Sequence, residues 1–146
     1  MKDGKAYSEI FLHLAWHTKT SLPMIRPVVE NELRKYLRHR ITETPGAACY
    51  AVGGTETHIH VAVSVPPSLT PSKWIGELKG SSSHYVNEKF GCGTLQWQAG
   101  YGVITFGKNN LEFVIEYIER QKEHHAANKV HERMEIIGGE DEEVAR

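Results

Sequence analysis

The stretch THIHVAVSV, residues 57–65, alternates two kinds of side chain and predicts one β-strand. Side chains two positions apart on a strand point to the same face, so His58 and His60 lie side by side. Ile59 and Val61 begin the opposite, apolar face, which belongs in a hydrophobic core. Only small residues follow the histidines on their own face, which leaves space in front of the imidazoles. Two neutral imidazoles on one strand are half of a metal site.

Hydrophobic periodicity and turn residues predict the elements on either side of this strand. Pro45-Gly46 ends the first helix, Gly53-Gly54 begins the turn into the histidine strand, and Thr70-Pro71 begins the second helix. In chain order the predicted elements are a strand within 8–19, a helix from 28, strands over 47–52 and 57–65, a helix over 71–90, a strand around 103–106 and a helix from 111.

The order β-α-β-β-α-β-α predicts an α+β fold of the ferredoxin-like (RRM-like) type, a βαββαβ antiparallel sheet with an added C-terminal helix. Two helices cover the face that carries Ile59 and Val61, and the last helix approaches the histidine face. The length of 146 residues fits one domain, predicted over residues 1–134. The acidic residues 135–146 are predicted to form a flexible tail.

Composition excludes several classes of protein. Hydrophobic residues make up 40% of the chain and charged residues 24%, as in a soluble domain. No apolar stretch approaches the ~20 residues that cross a bilayer, and no signal-peptide pattern begins the chain. Cys49 and Cys92 are too few for a disulfide framework. These features predict a cytoplasmic protein that does not enter a membrane.

The last helix carries the residues that complete the predicted site. Tyr117 and Gln121 are four positions apart, so they lie one turn above the other and approach the two histidines. The amide oxygen of Gln121 is a third metal ligand, and three ligands leave open positions, as in a catalytic site. A tyrosine beside such a metal suggests phosphoryl transfer to its phenolic oxygen, which keeps the energy of a broken phosphodiester in a phosphotyrosine bond.

Five segments occur in one order and at compatible spacing: LAWHTK (14–19), HIHV with SVPP (58–67), LKGSSS (78–83), WQAGYG (97–102) and YIERQ (117–121). Together they resemble the single-tyrosine HUH transposases of the smallest bacterial insertion sequences and their REP-associated relatives, over roughly residues 7–126. The chain departs from the family pattern at Thr57, a position before the HUH motif that is commonly acidic in relatives.

The resemblance implies a homodimeric enzyme that cuts and rejoins single-stranded DNA with Mg²⁺ or Mn²⁺ and recognises hairpins at the DNA ends. His58, His60 and Gln121 would be the metal ligands. Tyr117 would attack the DNA and give a 5′-phosphotyrosine and a free 3′-hydroxyl. In such enzymes the tyrosine helix can serve either its own subunit's active site or the partner's, and the sequence leaves both arrangements open.

Basic residues are concentrated in the first part of the chain, although the net charge is only −1. A basic region can contact phosphates even when the whole chain is near neutral; the alternative is a solvated helix face. The candidate DNA contacts are Lys19, Arg34, Lys35, Arg38, Arg40 and Lys79.

The chain carries other histidines near the predicted site, on the first strand and on the last helix. His13 and His17 share a strand face, but residues four apart on a strand are separated by about 13 Å, too far to share one small ion. Structural or DNA-contacting roles are therefore predicted for them. His124 and His125 could contact phosphate, but a solvated helix end is the preferred prediction for them.

Two other functions compete with the transposase. A domesticated module would keep the fold and bind DNA hairpins without cutting them, as the near-neutral charge and Thr57 suggest. A hydrolase would use water as the nucleophile at the same metal. The sequence predicts no carboxylate beside the histidines to act as a general base, which disfavours the hydrolase.

Overall fold

A computed structural model describes residues 2–3, 6–126 and 131–138, which form an antiparallel sheet with helices on both faces. In chain order the elements are β1 (Lys2–Asp3), β2 (Ala6–Tyr7), β3 (Phe11–His17), α1 (Pro27–Glu43), β4 (Ala48–Gly54), β5 (His58–Ser64), α2 (Pro71–Phe90), β6 (Gly102–Phe106), α3 (Leu111–Glu119), α4 (Gln121–Ala126) and α5 (Glu132–Glu135).

The main sheet has four strands in the order β4-β5-β3-β6, and every neighbouring pair is antiparallel. This is the strand order of a ferredoxin-like βαββαβ unit, so the predicted fold class is confirmed. The histidine strand β5 lies inside the sheet, paired on one edge with β4 and on the other with β3. Strands β1 and β2 pair antiparallel in a separate two-stranded sheet that the sequence did not predict.

The two faces of the sheet carry separate hydrophobic clusters, because alternate side chains of each strand point to opposite faces. On one face Ile59 and Val61 are buried with residues of α1 and α2 such as Leu37 and Leu78. The smaller cluster on the histidine face contains Ala51, Ala62, Val114, Tyr117, Ile118 and Met134. The predicted division of the helices between the two faces is therefore correct.

Helix α2 begins and ends at the predicted signals, whereas α1 begins at Pro27, one residue before the predicted start. Proline occupies the first position of both α1 and α2, where its fixed φ suits a helix and its missing N–H is not needed. Helix α2 ends at Gly91, whose φ of 116° is accessible mainly to glycine. Among the described helices, none combines the length and the apolar character that a membrane span requires.

The end of the chain differs from the single long helix that the sequence predicted. Helix α3 stops at Glu119, Arg120 takes a non-helical conformation (φ −110°, ψ 28°), and α4 begins at Gln121. Helix α5 runs across the predicted boundary at residue 134, and the N–H of Gly138 donates to the carbonyl of Tyr101 at 3.2 Å. The rest of the predicted tail, residues 139–146, lies outside the described residues.

Gly53 sets how closely α3 approaches the sheet. A Cβ at this position would lie 2.2 Å from the carbonyl oxygen of Ile118, a backbone atom one residue after Tyr117. Gly53→Ala is therefore expected to push α3 away from β4 and to lower the free energy of unfolding by about 1–3 kcal/mol, the usual effect of overpacking. Urea denaturation measures this.

Gly76→Ala is the matched control, because Gly76 is exposed within α2 and no atom lies within 4 Å of a Cβ added there. Removing a glycine from a helix interior stabilises it by about 0.5–1 kcal/mol. A Gly53→Ala protein as stable as the unmodified one would contradict the close approach of α3 to β4.

Candidate metal and tyrosine site

The histidine face of the sheet gathers the four predicted site residues. His58 and His60 stand on the interior strand β5, where they are 4% and 0% exposed. Tyr117 lies in the last turn of α3 and Gln121 begins α4, and both side chains are also buried. Because α3 packs against β4 and β5, all four side chains come from elements that the two cores hold in place.

Three donor atoms lie close together at the end of this face. Nε2 of His58 is 3.3 Å from Oε1 of Gln121 and 3.1 Å from Nε2 of His125. Nε2 of His125 is in turn 3.2 Å from Oε1 of Gln121. The prediction of a solvated helix end is thus wrong for His125, since the break at Arg120 lets α4 present it to the site.

A carboxylate completes the cluster. Oε1 of Glu135 is 3.3 Å from Nε2 of His60, 3.7 Å from Nε2 of His58 and 3.5 Å from Nε2 of His125. The other carboxylate oxygen, Oε2, accepts a hydrogen bond from the hydroxyl of Tyr117. The expectation that no carboxylate lies beside the histidines is wrong.

These donors fit a divalent cation in kind and in spacing. Ligands about 2.1 Å from one ion are about 3.0 Å apart when adjacent in an octahedron and about 3.4 Å apart in a tetrahedron. The contacts within the cluster of His58, Gln121, His125 and Glu135 range from 3.1 to 3.7 Å. Among the described residues, Nε2 of His60 is buried and has no hydrogen-bond partner, although Oε1 of Glu135 lies 3.3 Å away. A buried nitrogen without a partner is what a metal ligand requires.

Hydrogen bonds at Nδ1 orient both strand histidines. Nδ1 of His58 lies 3.0 Å from the hydroxyl oxygens of Thr55 and Thr57. Nδ1 of His60 lies 2.8 Å from Nε2 of His13. In the tautomer that binds a cation through Nε2, each Nδ1–H donates to these partners, as metal-bound histidines generally do. Thr57 and Thr55 therefore orient His58 together.

The protonation states also suit a metal site. Burial, together with the neighbouring His60, lowers the pKa of His13 and of His58 to about 3, so both imidazoles are neutral at pH 7. Burial disfavours the charged form of Glu135, but contacts with His60 and Tyr117 outweigh it and lower its pKa to about 2. Neutral imidazoles and an ionised carboxylate are the forms that bind metals.

Several contacts hold Tyr117 so that its hydroxyl donates to the Glu135 carboxylate. The backbone N–H of His131 donates to the Tyr117 oxygen at 2.8 Å, and the ring stacks on His124 with centroids 4.9 Å apart. The ring of His60 approaches edge-on at 6.2 Å. Burial, followed by the hydrogen bond to Glu135, raises the pKa of Tyr117 to about 12. The phenol is therefore protonated at neutral pH and must lose its proton to become a nucleophile.

Three of the predicted DNA contacts lie together. Arg34, Lys35 and Arg38 line one groove of about 440 Å³ on α1. Ion pairs offset part of this charge, because Arg34 lies 3.7 Å from Glu30 and Lys35 lies 3.9 Å from Glu32.

The other three predicted DNA contacts are dispersed. Nη1 of Arg40 lies 3.4 Å from the Tyr36 hydroxyl, and Lys19 lines a different groove beside Trp97. The ammonium of Lys79 donates to the carbonyls of Gln98 and Gly100 at 2.8 Å each, which fixes it to the protein backbone.

Sequence reasoning missed three residues of the site: His13, His125 and Glu135. His125 had a usable signal, because it lies four positions after Gln121 and therefore on the same face of a helix. His13 requires the register between β3 and β5, in which it stands opposite Ala62 and diagonal to His60. Glu135 had no signal, since no periodic pattern ties residues 131–138 to the sheet.

The family of the chain follows from comparison with known proteins. The profile of the family described as "Transposase IS200 like" matches residues 6–121, most of the chain. The chain belongs to this IS200-like transposase family. The insertion sequence IS200 transposases of Salmonella typhimurium LT2 and of Salmonella typhi are each 34% identical to it over 104 residues. Those matches cover 67% of this chain and 64% of each relative, so the chain spans less than two thirds of the relatives' length.

Two solved structures resemble the fold. A candidate transposase from Deinococcus radiodurans R1 has 25% sequence identity and a TM-score of 0.65, over 83% of this chain and 98% of that one. A REP-associated tyrosine transposase bound to a REP hairpin has 12% identity and a TM-score of 0.57, over 89% of this chain and 76% of that one. The second likeness concerns the fold alone.

Proposed function

We propose that this protein is a metal-dependent transposase that cleaves and rejoins single-stranded DNA through a 5′-phosphotyrosine intermediate. One observation carries the proposal. The Tyr117 hydroxyl binds one oxygen of the Glu135 carboxylate, while Nε2 of His60 and of His58 lie 3.3 and 3.7 Å from the other oxygen. A phosphate group is similar in size to a carboxylate, so a phosphodiester in that position would reach both the phenol and the histidines.

In the proposed reaction Tyr117 is the nucleophile, and the backbone N–H of His131 positions its oxygen. Tyr117 forms a bond from its oxygen to phosphorus, the bond from phosphorus to the 3′ oxygen breaks, and the phenol proton leaves as the 3′ oxygen gains one. The N–H of His131, which donates to the Tyr117 oxygen, aims that oxygen and stabilises negative charge on it. Rejoining is the reverse step, in which the 3′-hydroxyl of another strand attacks the phosphotyrosine.

His58, His60 and Gln121 are the proposed ligands of the divalent cation, Mg²⁺ or Mn²⁺. When bound, the cation neutralises charge on the phosphate oxygens. His13, Thr55 and Thr57 keep the two imidazoles turned towards it through their Nδ1 atoms. Imidazole, amide and carboxylate donors together suit Mn²⁺ as well as Mg²⁺.

The proposed DNA partner is a single strand with hairpin ends, in keeping with the family and with the REP hairpin in the structurally similar REP-associated transposase. The groove lined by Arg34, Lys35 and Arg38 is the proposed contact to the hairpin backbone, with Lys19 as a separate contact. We also propose a homodimer, as the family resemblance implies. Tyr117 lies beside His60 of its own chain, which favours an active site within one subunit in this conformation.

Strand-specific labelling tests the proposal. The protein is incubated with Mn²⁺ and single-stranded hairpins from the sequence that flanks its gene. DNA labelled at its 3′ end is expected to enter a covalent adduct that survives denaturing electrophoresis. DNA labelled at its 5′ end is expected to appear as a shorter free fragment that ends in a 3′-hydroxyl.

Other outcomes would support the competing functions. Hairpin binding that survives chelation, with no cleavage in any metal, would indicate a domesticated DNA-binding module. Multiple turnovers with no protein-linked product would indicate a hydrolase, for which Glu135 now supplies a carboxylate near the histidines.

A further inference from the structure

Residues 131–138, the C-terminal segment, are anchored across the histidine face of the sheet. Met134 is buried in the smaller core cluster, and the N–H of Gly138 donates to the carbonyl of Tyr101. Gly102 permits this approach, because a Cβ there would lie 2.0 Å from the carbonyl oxygen of Ile136. Glu135 therefore reaches the histidines from a segment that is packed against the sheet at two separate places.

The Glu135 carboxylate and the His125 imidazole lie beside the same nitrogen, Nε2 of His58. Among the His, Cys, Asp and Glu side chains of the described residues, one group of donors could share an ion: those of His58, His125 and Glu135, all within 4.8 Å of one another. Oε1 of Gln121 is 3.2–3.3 Å from the two histidine nitrogens. The members of this group come from β5, α4 and the C-terminal segment, so three separate parts of the chain converge on one point.

We propose that His125 and Glu135 are metal ligands of the DNA-free protein, in addition to the ligands proposed above, His58, His60 and Gln121. The inference rests on the metal dependence of the proposed function and deepens it. Because Oε2 of Glu135 also accepts the Tyr117 hydroxyl, Glu135 occupies the position between phenol and cation that a phosphodiester must take. Glu135 is consequently a ligand that the DNA phosphate replaces when the substrate binds.

The alternative is that Glu135 only accepts a hydrogen bond from Tyr117 and that His125 only packs beside His58. Loss of either side chain would then leave metal affinity unchanged. If both are ligands, each loss lowers metal affinity at least about tenfold, since even partners outside the ligand shell typically change it by about 10–100-fold.

Titration of the DNA-free protein with Mn²⁺ alone separates these cases. The loss of the electron paramagnetic resonance signal of free Mn²⁺ gives the number of bound ions. Isothermal titration calorimetry gives the dissociation constant. Glu135→Gln and His125→Ala are each expected to raise that constant at least about tenfold. The controls are Glu132→Gln, an exposed glutamate of the same short helix, and His39→Ala, an exposed histidine of α1 away from the site; both are expected to leave the dissociation constant unchanged.

Gly102→Ala tests the C-terminal segment without altering any donor. Its Cβ would displace the Ile136 carbonyl, so Mn²⁺ binding is expected to weaken as it does in Glu135→Gln. Circular dichroism establishes that each variant is folded before titration.

The outcomes distinguish the two proposals. Tight Mn²⁺ binding that His58→Ala weakens, but that Glu135→Gln and His125→Ala leave unchanged, would overturn this inference and leave the proposed function standing. An unmodified protein that binds no Mn²⁺ would overturn both, because the proposed function would lose its metal.

Discussion

Tyr117→Phe is expected to abolish the covalent protein–DNA adduct, with a loss of cleavage of at least about 10⁴-fold, because the substitution removes only the attacking oxygen. The ring keeps its stacking on His124, so the fold and hairpin binding are expected to remain. Loss of the hydrogen bond to Glu135 lowers the free energy of unfolding by about 1 kcal/mol. Denaturing electrophoresis measures the adduct, and a gel-shift assay measures DNA binding.

Tyr85→Phe is the matched control for the loss of a hydroxyl. Tyr85 also donates to a glutamate, Oε1 of Glu32 at 3.0 Å, but it lies on α2 against the opposite face of the sheet. The Tyr85→Phe protein is expected to form the covalent adduct at the same rate as the unmodified protein. An adduct that persists in Tyr117→Phe would remove Tyr117 as the nucleophile and with it the central step of the proposed mechanism.

The sequence predicted the parts of the site that depend on local periodicity. A period of two placed His58 and His60 on one face of a strand, and a spacing of four placed Tyr117 and Gln121 on one face of a helix. The structure brings these four side chains to one face of the sheet. The fold class was predictable for the same reason, since each element has its own apolar period and terminating residues.

The residues that sequence reasoning missed depend on relations between distant elements. His13 reaches His60 only because β3 pairs with β5 in one particular register, which alternation alone does not fix. His125 depends on the break at Arg120, where no proline or glycine marks the change of direction. Glu135 depends on the packing of Met134 and on the missing side chain of Gly102, two contacts that follow from tertiary structure.

His58→Ala is expected to have the second large effect, a loss of cleavage of about 10³-fold at millimolar Mn²⁺. Nε2 of His58 contacts both Gln121 and His125, so its removal takes away the central donor of the cluster. Because the pKa of His58 is lowered to about 3, its imidazole is neutral at pH 7 and acts as a ligand, with no proton to donate from Nε2 in the tautomer that binds a cation. Cleavage rates over a range of Mn²⁺ concentrations measure the effect.

His39→Ala is the matched control, because His39 is an exposed histidine on α1 that pairs with Glu43 at 3.3 Å, away from the site. Its cleavage is expected to be unchanged. Raising the Mn²⁺ concentration is expected to restore part of the activity of His58→Ala, since the remaining donors form a weaker site that mass action can fill. Activity that stays lost at every Mn²⁺ concentration, while Mn²⁺ still binds, would mean that His58 acts on the substrate and is not primarily a ligand.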